Sequence, residues 1–128
     1  MNHLRILVAD DSKPLLESIR QVLAYDGHAV TTVTGGNEAI KLLKSDCFDL
    51  VIADVDMPDG DGFELVTELR KKYSATKILV ISGGSVHFTP AFYTGVAKKL
   101  GAHATLLKPF NRGELLEGIG TAMDSRNT

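Results

Sequence analysis

The stretch Leu50-Val51-Ile52-Ala53-Asp54-Val55-Asp56-Met57-Pro58-Asp59-Gly60-Asp61-Gly62 decides the reading of this chain. It opens with a short apolar run and stops on a carboxylate. A buried strand that ends in an acid and is followed by Pro and Gly places Asp54 at the strand's C-terminal lip. In open parallel sheets, ligands bind in the crevice beyond those strand ends. Asp54 is therefore the first candidate for chemistry, and the remaining segments are read for what would surround it.

Upstream, Leu4 to Ala9 is almost wholly apolar, the pattern of a strand covered on both faces, and it ends at Asp10-Asp11. Ser12-Lys13-Pro14 then opens a helix, with proline tolerated in the first turn. Leu15, Ile19, Val22 and Leu23 recur at helical spacing as its core stripe, with Leu16 at the rim, and Asp26-Gly27 ends it. His28 to Val33 is a weaker, Thr-rich strand suited to a sheet edge. Gly35-Gly36-Asn37 leads into a second helix whose apolar face uses Ala39, Ile40, Leu42 and Leu43. Phe48 to Ala53 forms the third strand.

Downstream, Asp61 is expected to cap a third helix with Phe63, Val66 and Leu69 facing the core. Lys77 to Ile81 is the fourth strand, followed by Ser82-Gly83-Gly84-Ser85. Thr89-Pro90 starts a fourth helix, with Phe92, Val96 and Leu100 at four-residue spacing and Gly101 ending it. Phe92 is expected in the core and Tyr93 at its edge. His103 to Leu107 is the fifth strand. Asn111 and Glu114 have capping-box spacing before a last helix that packs Leu115, Leu116, Ile119 and Met123. Gly113, Gly118 and Gly120 would each weaken that helix by about 1 kcal/mol relative to Ala. Residues from Asp124 to Thr128 are expected to fray. Right-handed crossovers between five strands and five helices predict a single α/β domain over 1–128, a three-layer α/β/α sandwich with its core in 4–124.

In such a sheet the polar strand ends gather at one rim: Asp10-Asp11, Asp54, Ser82 and Lys108. Two like unit charges about 4 Å apart repel by about 4 kcal/mol at an intermediate effective dielectric. A hard divalent cation such as Mg²⁺, which takes oxygen ligands, relieves that repulsion. Acids, a metal, a hydroxyl and a lysine together suit phosphoryl chemistry. Asp54 would attack phosphorus while the metal and Lys108 neutralise the transferring group.

The chain resembles the receiver domain of two-component response regulators, the chemotaxis-regulator-like family. The residues that carry the resemblance are Asp10-Asp11, Asp54, Met57-Pro58, Asp61-Gly62, Ser82 and Lys108-Pro109-Phe110, each in order at a strand end, across residues 4 to 124. The resemblance implies the flavodoxin-like strand order 2-1-3-4-5, which the general rule for doubly wound sheets illustrates with a member of this family. It implies that Asp54 accepts a phosphoryl group from a phosphohistidine on a sensor histidine kinase or histidine phosphotransfer protein. It also implies Mg²⁺ on Asp10, Asp11, Asp54 and the Asp56 backbone carbonyl. Lys108 would contact the phosphate, the Ser82 hydroxyl would move toward it, and Lys108-Pro109 would be cis. The output would be a downstream protein target, with the chain a monomer or a weak dimer through the fourth helix, fifth strand and fifth helix.

Two features depart from the family pattern. Thr105 stands where an aromatic switch residue is usual, three positions before the lysine. The segment from Ser82 to Lys108 is longer than usual, the extra length falling in Gly83 to Pro90. Stand-alone regulators with a Gly-Gly loop and an Ala-Lys-Lys-Leu-Gly-Ala-like run, here Ala97 to Ala102, look similar. The loop, in place of a ring flip, is expected to report phosphorylation.

Other readings are weaker. A metal-dependent aspartyl-phosphate phosphatase would use Asp54 as nucleophile and Asp56 as acid. Its Asp-x-Asp motif continues Gly-Thr, whereas Met57-Pro58 follows here. A docking module that is never phosphorylated would not need the full acid set and Lys108. Counted from Asp54, an EF-hand loop fails because Asp59 occupies its glycine position. No phosphate-cradling glycine loop follows the first strand. His3, His28, His87 and His103 show no ligand spacing, although His87 sits in the long loop. Phe92 and Tyr93 read as packing residues more readily than as a cofactor stack.

Composition narrows the classes further. Hydrophobic residues make up 44% and charged residues 23%, which supports a packed core and excludes a disordered chain. A net charge of −2 gives no basic field for nucleic acid or for a membrane surface. Cys47 is the only cysteine, so no internal disulfide forms and a reducing compartment is the natural reading. It reads as a small residue entering the third strand. No apolar run approaches the roughly 20 residues that span a bilayer, and no signal peptide is apparent. The expected location is the cytoplasm, and the chain is expected not to be an enzyme beyond its own phosphorylation and slow dephosphorylation.

Overall fold

Five parallel strands form one sheet in the order β2-β1-β3-β4-β5. The computed structural model describes residues 3–55, 57, 62–83 and 89–125. The strands are β1 (Arg5–Ala9), β2 (Ala29–Val33), β3 (Leu50–Asp54), β4 (Lys77–Ser82) and β5 (Ala104–Leu107). The helices are α1 (Lys13–Tyr25), α2 (Gly36–Leu43), α3 (Gly62–Lys72), α4 (Pro90–Leu100) and α5 (Arg112–Asp124). The order is the one the resemblance implied, with Thr-rich β2 at an edge.

Strand alternation builds two cores. In β1, Ile6 and Val8 pack with Leu50, Ile52, Leu79 and Ile81 beneath α1 and α5. Leu7 and Ala9 point the other way, with Val51, Ala53, Ile78 and Val80, beneath α2, α3 and α4. Both faces of the inner strands are therefore covered, which is why their sequences are continuously apolar. The register Ala9↔Ala53 and Asp54↔Ile81 brings the C-terminal ends of β1, β3 and β4 level. The two polar ends Asp54 and Ser82 are the last residues of their strands, one residue beyond the predicted boundaries.

The helix termini follow local chemistry. Ser12 caps α1 through its side chain, with proline in the first turn. Thr89 does the same for α4. Asn111 and Glu114 form the expected capping box on α5. Gly27 and Gly101 adopt positive φ at the ends of α1 and α4. The Lys108-Pro109 bond is cis.

Three packing expectations are corrected. In α1 the buried residues are Leu16, Ile19 and Leu23, so Leu16 is core and Leu15 is rim. The stripe follows 3-then-4 spacing from Leu16, and Leu15, one residue earlier, is rotated toward the groove beside α5. In α4 only Ala97 is buried, while Phe92 and Leu100 are 47% and 37% exposed. This helix covers the β4–β5 edge with its Tyr93–Ala97 side, and Tyr93 stacks on Phe63 of α3 at 5.9 Å. Phe92 therefore lies outside, edge-on to Tyr93. In α3, Leu65 joins Val66 and Leu69 in the core, and Phe63 is only partly buried.

Candidate functional site

Asp10, Asp54, Ser82 and Lys108 come together at the C-terminal ends of β1, β3, β4 and β5. Asp10, the residue after β1, and Asp54 and Ser82, at the ends of β3 and β4, are all buried. Lys108 follows β5, and its N–H donates to the Ser82 carbonyl at 2.9 Å, tying the two strand ends together. Its Nζ lies 2.9 Å from Asp10 Oδ2 and donates to Asp54 Oδ2 at 3.0 Å. Burial alone would lower the Lys108 pKa, but the Asp10 and Asp54 carboxylates outweigh it and hold the ammonium above its ordinary value.

The acids are unequal. Asp10 Oδ1 accepts the Ser12 N–H at 2.8 Å, so one oxygen helps to shape the start of α1. Asp10 Oδ2 is buried and, among the described residues, has no partner in hydrogen-bond geometry, with the Lys108 ammonium beside it as a counter-charge. Asp11 is exposed at the mouth. One carboxylate oxygen from each of Asp10, Asp11 and Asp54 lies within 4.8 Å of the others. Among the described residues, Lys108 pairs with Asp10 and Asp54 while Asp11 stands beside them, so three carboxylates set against one ammonium leave an excess equal to the charge of one divalent cation. An all-oxygen donor set with an orphaned buried oxygen fits a hard ion such as Mg²⁺.

Gly62, the first residue of α3, supports the site in a way that spacing does not reveal. A Cβ there would lie 2.2 Å from the Asp54 carbonyl oxygen and 2.4 Å from the Val55 Cα. The helix backbone therefore packs directly on the end of β3, and any larger residue must displace one of them. The expectations for Asp56, Asp61 and His87, and most of the Gly83–Pro90 loop, fall outside the described residues. Thr105 is in mid-strand β5, paired with Val80, and lines an open cavity of about 330 Å³ with Lys98, Glu114 and Glu117. Cys47 is exposed in the turn before β3. His28 and His103, placed among no ligand set by their spacing, each accept a backbone N–H through Nδ1, from Leu4 and Ile78 respectively.

Beside the site, Leu15, Gly83, Pro109 and Phe110 line an apolar depression. It leads to a groove between α1 and α5 that includes Leu15, Val22, Phe110 and Leu115. Arg112 crosses from the start of α5 to Asp26 at the end of α1, at 2.9 Å.

The sequence matches the family described as the response regulator receiver domain over residues 6–120. It is 32% identical over 123 residues to response regulator SaeR of Staphylococcus aureus (strain USA300), covering 96% of this chain and 51% of that protein. The chain thus spans about half the length of the curated relatives it matches. Among solved structures, chemotaxis response regulator CheY4 of Vibrio cholerae is 30% identical with a TM-score of 0.84, over 94% of this chain and 99% of that one. A CheY-like receiver domain protein of Methanospirillum hungatei JF-1 is 28% identical with a TM-score of 0.84, over 96% and 95%. Among the described residues, no helix is long and apolar enough to cross a membrane.

Proposed function

We propose that Asp54 accepts the phosphoryl group in this chain, which belongs to the response regulator receiver domain family. The observation that carries the proposal is the convergence of Asp10, Asp11 and Asp54 at a single rim, with the Lys108 ammonium set against Asp10 and Asp54. An Asp54 carboxylate oxygen forms a bond to phosphorus. The bond from phosphorus to the donor imidazole nitrogen breaks, and its electron pair leaves with the ring, which then takes a proton. Lys108, 3.0 Å from Asp54 Oδ2, is placed to neutralise charge on the transferred group. The Ser82 hydroxyl, on the adjacent strand end, supplies a hydrogen bond to the same group.

Asp10, Asp11 and Asp54 would hold Mg²⁺, which supplies positive charge to the transferring phosphoryl oxygens when bound. The Asp56 carbonyl is assigned to the same set by family resemblance. The donor is a sensor histidine kinase or histidine phosphotransfer protein. The apolar depression around Leu15, Pro109 and Phe110 offers such a partner a surface next to Asp54. The output is a change in a protein target's binding, and the chain acts as a switch that holds one phosphoryl group and turns over slowly.

The test is intact mass after incubation with Mg²⁺ and acetyl phosphate, with a turnover assay on a small aromatic phosphate ester. One phosphate adduct per chain, dependent on Mg²⁺ and absent in Asp54→Asn, supports the proposal. Continuous ester hydrolysis without an adduct would replace it with a phosphatase. No adduct, and none from a phosphohistidine donor, would leave a docking module.

A further inference from the structure

Of the five helices, α4 buries the least. Ala97 is its one buried residue, whereas each of the other four helices buries at least three. Its outer face carries the exposed Phe92 and Leu100. Tyr93, partly buried, packs against the same core as Ala97. A helix with so little buried apolar surface shifts or opens more readily than its neighbours.

Tyr93 also connects this helix to the acidic rim. Its ring stacks on Phe63 of α3, with centroids 5.9 Å apart and planes inclined by 17°. Phe63 directly follows Gly62, whose missing side chain lets the α3 backbone lie against the Asp54 carbonyl and the Val55 Cα. Phe92 stands edge-on to Tyr93, also at 5.9 Å. Direct contacts thus run from the end of β3, through the start of α3, to a ring on the surface of α4. The other side of α4 offers no equivalent. β5 carries no aromatic residue, and Thr105 lines an open cavity of about 330 Å³.

We propose that the Phe63–Tyr93 stack couples α4 to the state of Asp54. The inference rests on Asp54 being the phosphoryl acceptor. A group added to the Asp54 carboxylate draws on the Lys108 ammonium that now holds it, and so disturbs the end of β3 on which Gly62 sits. The start of α3 is packed there without room for a methyl group, so it moves with that backbone. Phe63 goes with it. Tyr93 follows, because stacked rings keep a preferred offset. A pre-existing equilibrium of α4, and with it the presentation of Phe92, is shifted. Phe63 and Tyr93 are positioning residues in this device.

The test is hydrogen exchange over residues 90–100 of the Mg²⁺-loaded chain, with and without beryllofluoride as a mimic of the aspartyl phosphate. The readout is the ratio between the two states, and intact mass after acetyl phosphate treatment is measured alongside. In the unsubstituted chain the ratio is expected to be about fivefold or more, the lower end of ordinary coupling between sites. Tyr93→Leu and Phe63→Leu should each bring it below about twofold while still taking up one phosphate. Tyr93→Phe, which keeps the ring, should retain it. Either leucine variant decides the matter if the other does not fold. A ratio unchanged in the leucine variants, a ratio lost in Tyr93→Phe, or phosphate uptake by the unsubstituted chain with no change over 90–100 would overturn the coupling and leave the acceptor reading intact. An unsubstituted chain that takes up no phosphate would remove the acceptor reading and the coupling with it.

Discussion

The two ends of the sheet use similar residue types for different work. At the N-terminal end, polar side chains complete the backbone. Leu4 and Ile78 donate to His28 and His103, Arg5 N–H donates to Asp49 Oδ2 at 2.8 Å, and Thr76 Oγ1 donates to the Phe48 carbonyl at 3.0 Å. At the C-terminal end, side chains face one another, as Lys108 does with Asp10 and Asp54. An aspartate that accepts a strand N–H stabilises the fold. An aspartate crowded against other aspartates stores repulsion that a cation can relieve. What a carboxylate faces, more than its burial, separates structure from chemistry here.

Substitutions at each end should move different properties. The largest effect is expected for Gly62→Ala, which drives a methyl into the backbone at Asp54 and Val55. It should cost about 3 kcal/mol in denaturant unfolding, the upper part of the range for overpacking, and should also lower the phosphorylation rate. An unchanged rate would mean that α3 does not position Asp54. Next, His28→Leu leaves the Leu4 N–H without its acceptor and should cost about 2 kcal/mol while phosphorylation is unaffected. Loss of phosphorylation at full stability would reverse the division between the two ends.

Asp10→Asn should do the opposite of His28→Leu. Removing one of three carboxylates should weaken Mg²⁺ binding at least tenfold, or about 1.4 kcal/mol, in a direct titration. Stability without metal should fall less than in His28→Leu, because Lys108 keeps Asp54. The smallest effect is a gain. Gly120 lies inside α5, and a methyl added there would meet nothing within 4 Å, so Gly120→Ala should add up to about 1 kcal/mol with no change in chemistry.

The acidic rim was legible because its signal is local: an apolar strand that stops on a charge. Asp10, Asp54 and Ser82 each interrupt such a run, and the strand ends bring them together without further information. The sheet order came from resemblance, since alternating strands and helices alone permit several orders. The face of α4 is not legible in the spacing, because Phe92, Val96 and Leu100 form a clean four-residue stripe. The helix instead buries Ala97 and leans Tyr93 on Phe63, a choice set by its neighbour α3. The support given by Gly62 depends on how closely a helix approaches a strand, which no spacing encodes. The same holds for His28 and His103, whose partners are backbone groups 24 and 25 residues away.

The most direct test of the account is to locate the phosphoryl group. The chain is phosphorylated with acetyl phosphate and Mg²⁺, then reduced with borohydride, which converts an aspartyl phosphate to homoserine. Peptide mass mapping follows. Homoserine at position 54, and nowhere else, is the predicted result. A stable phosphate retained on a histidine or serine, or homoserine at position 10 or 11 with Asp54 intact, would contradict the assignment of Asp54 as the acceptor.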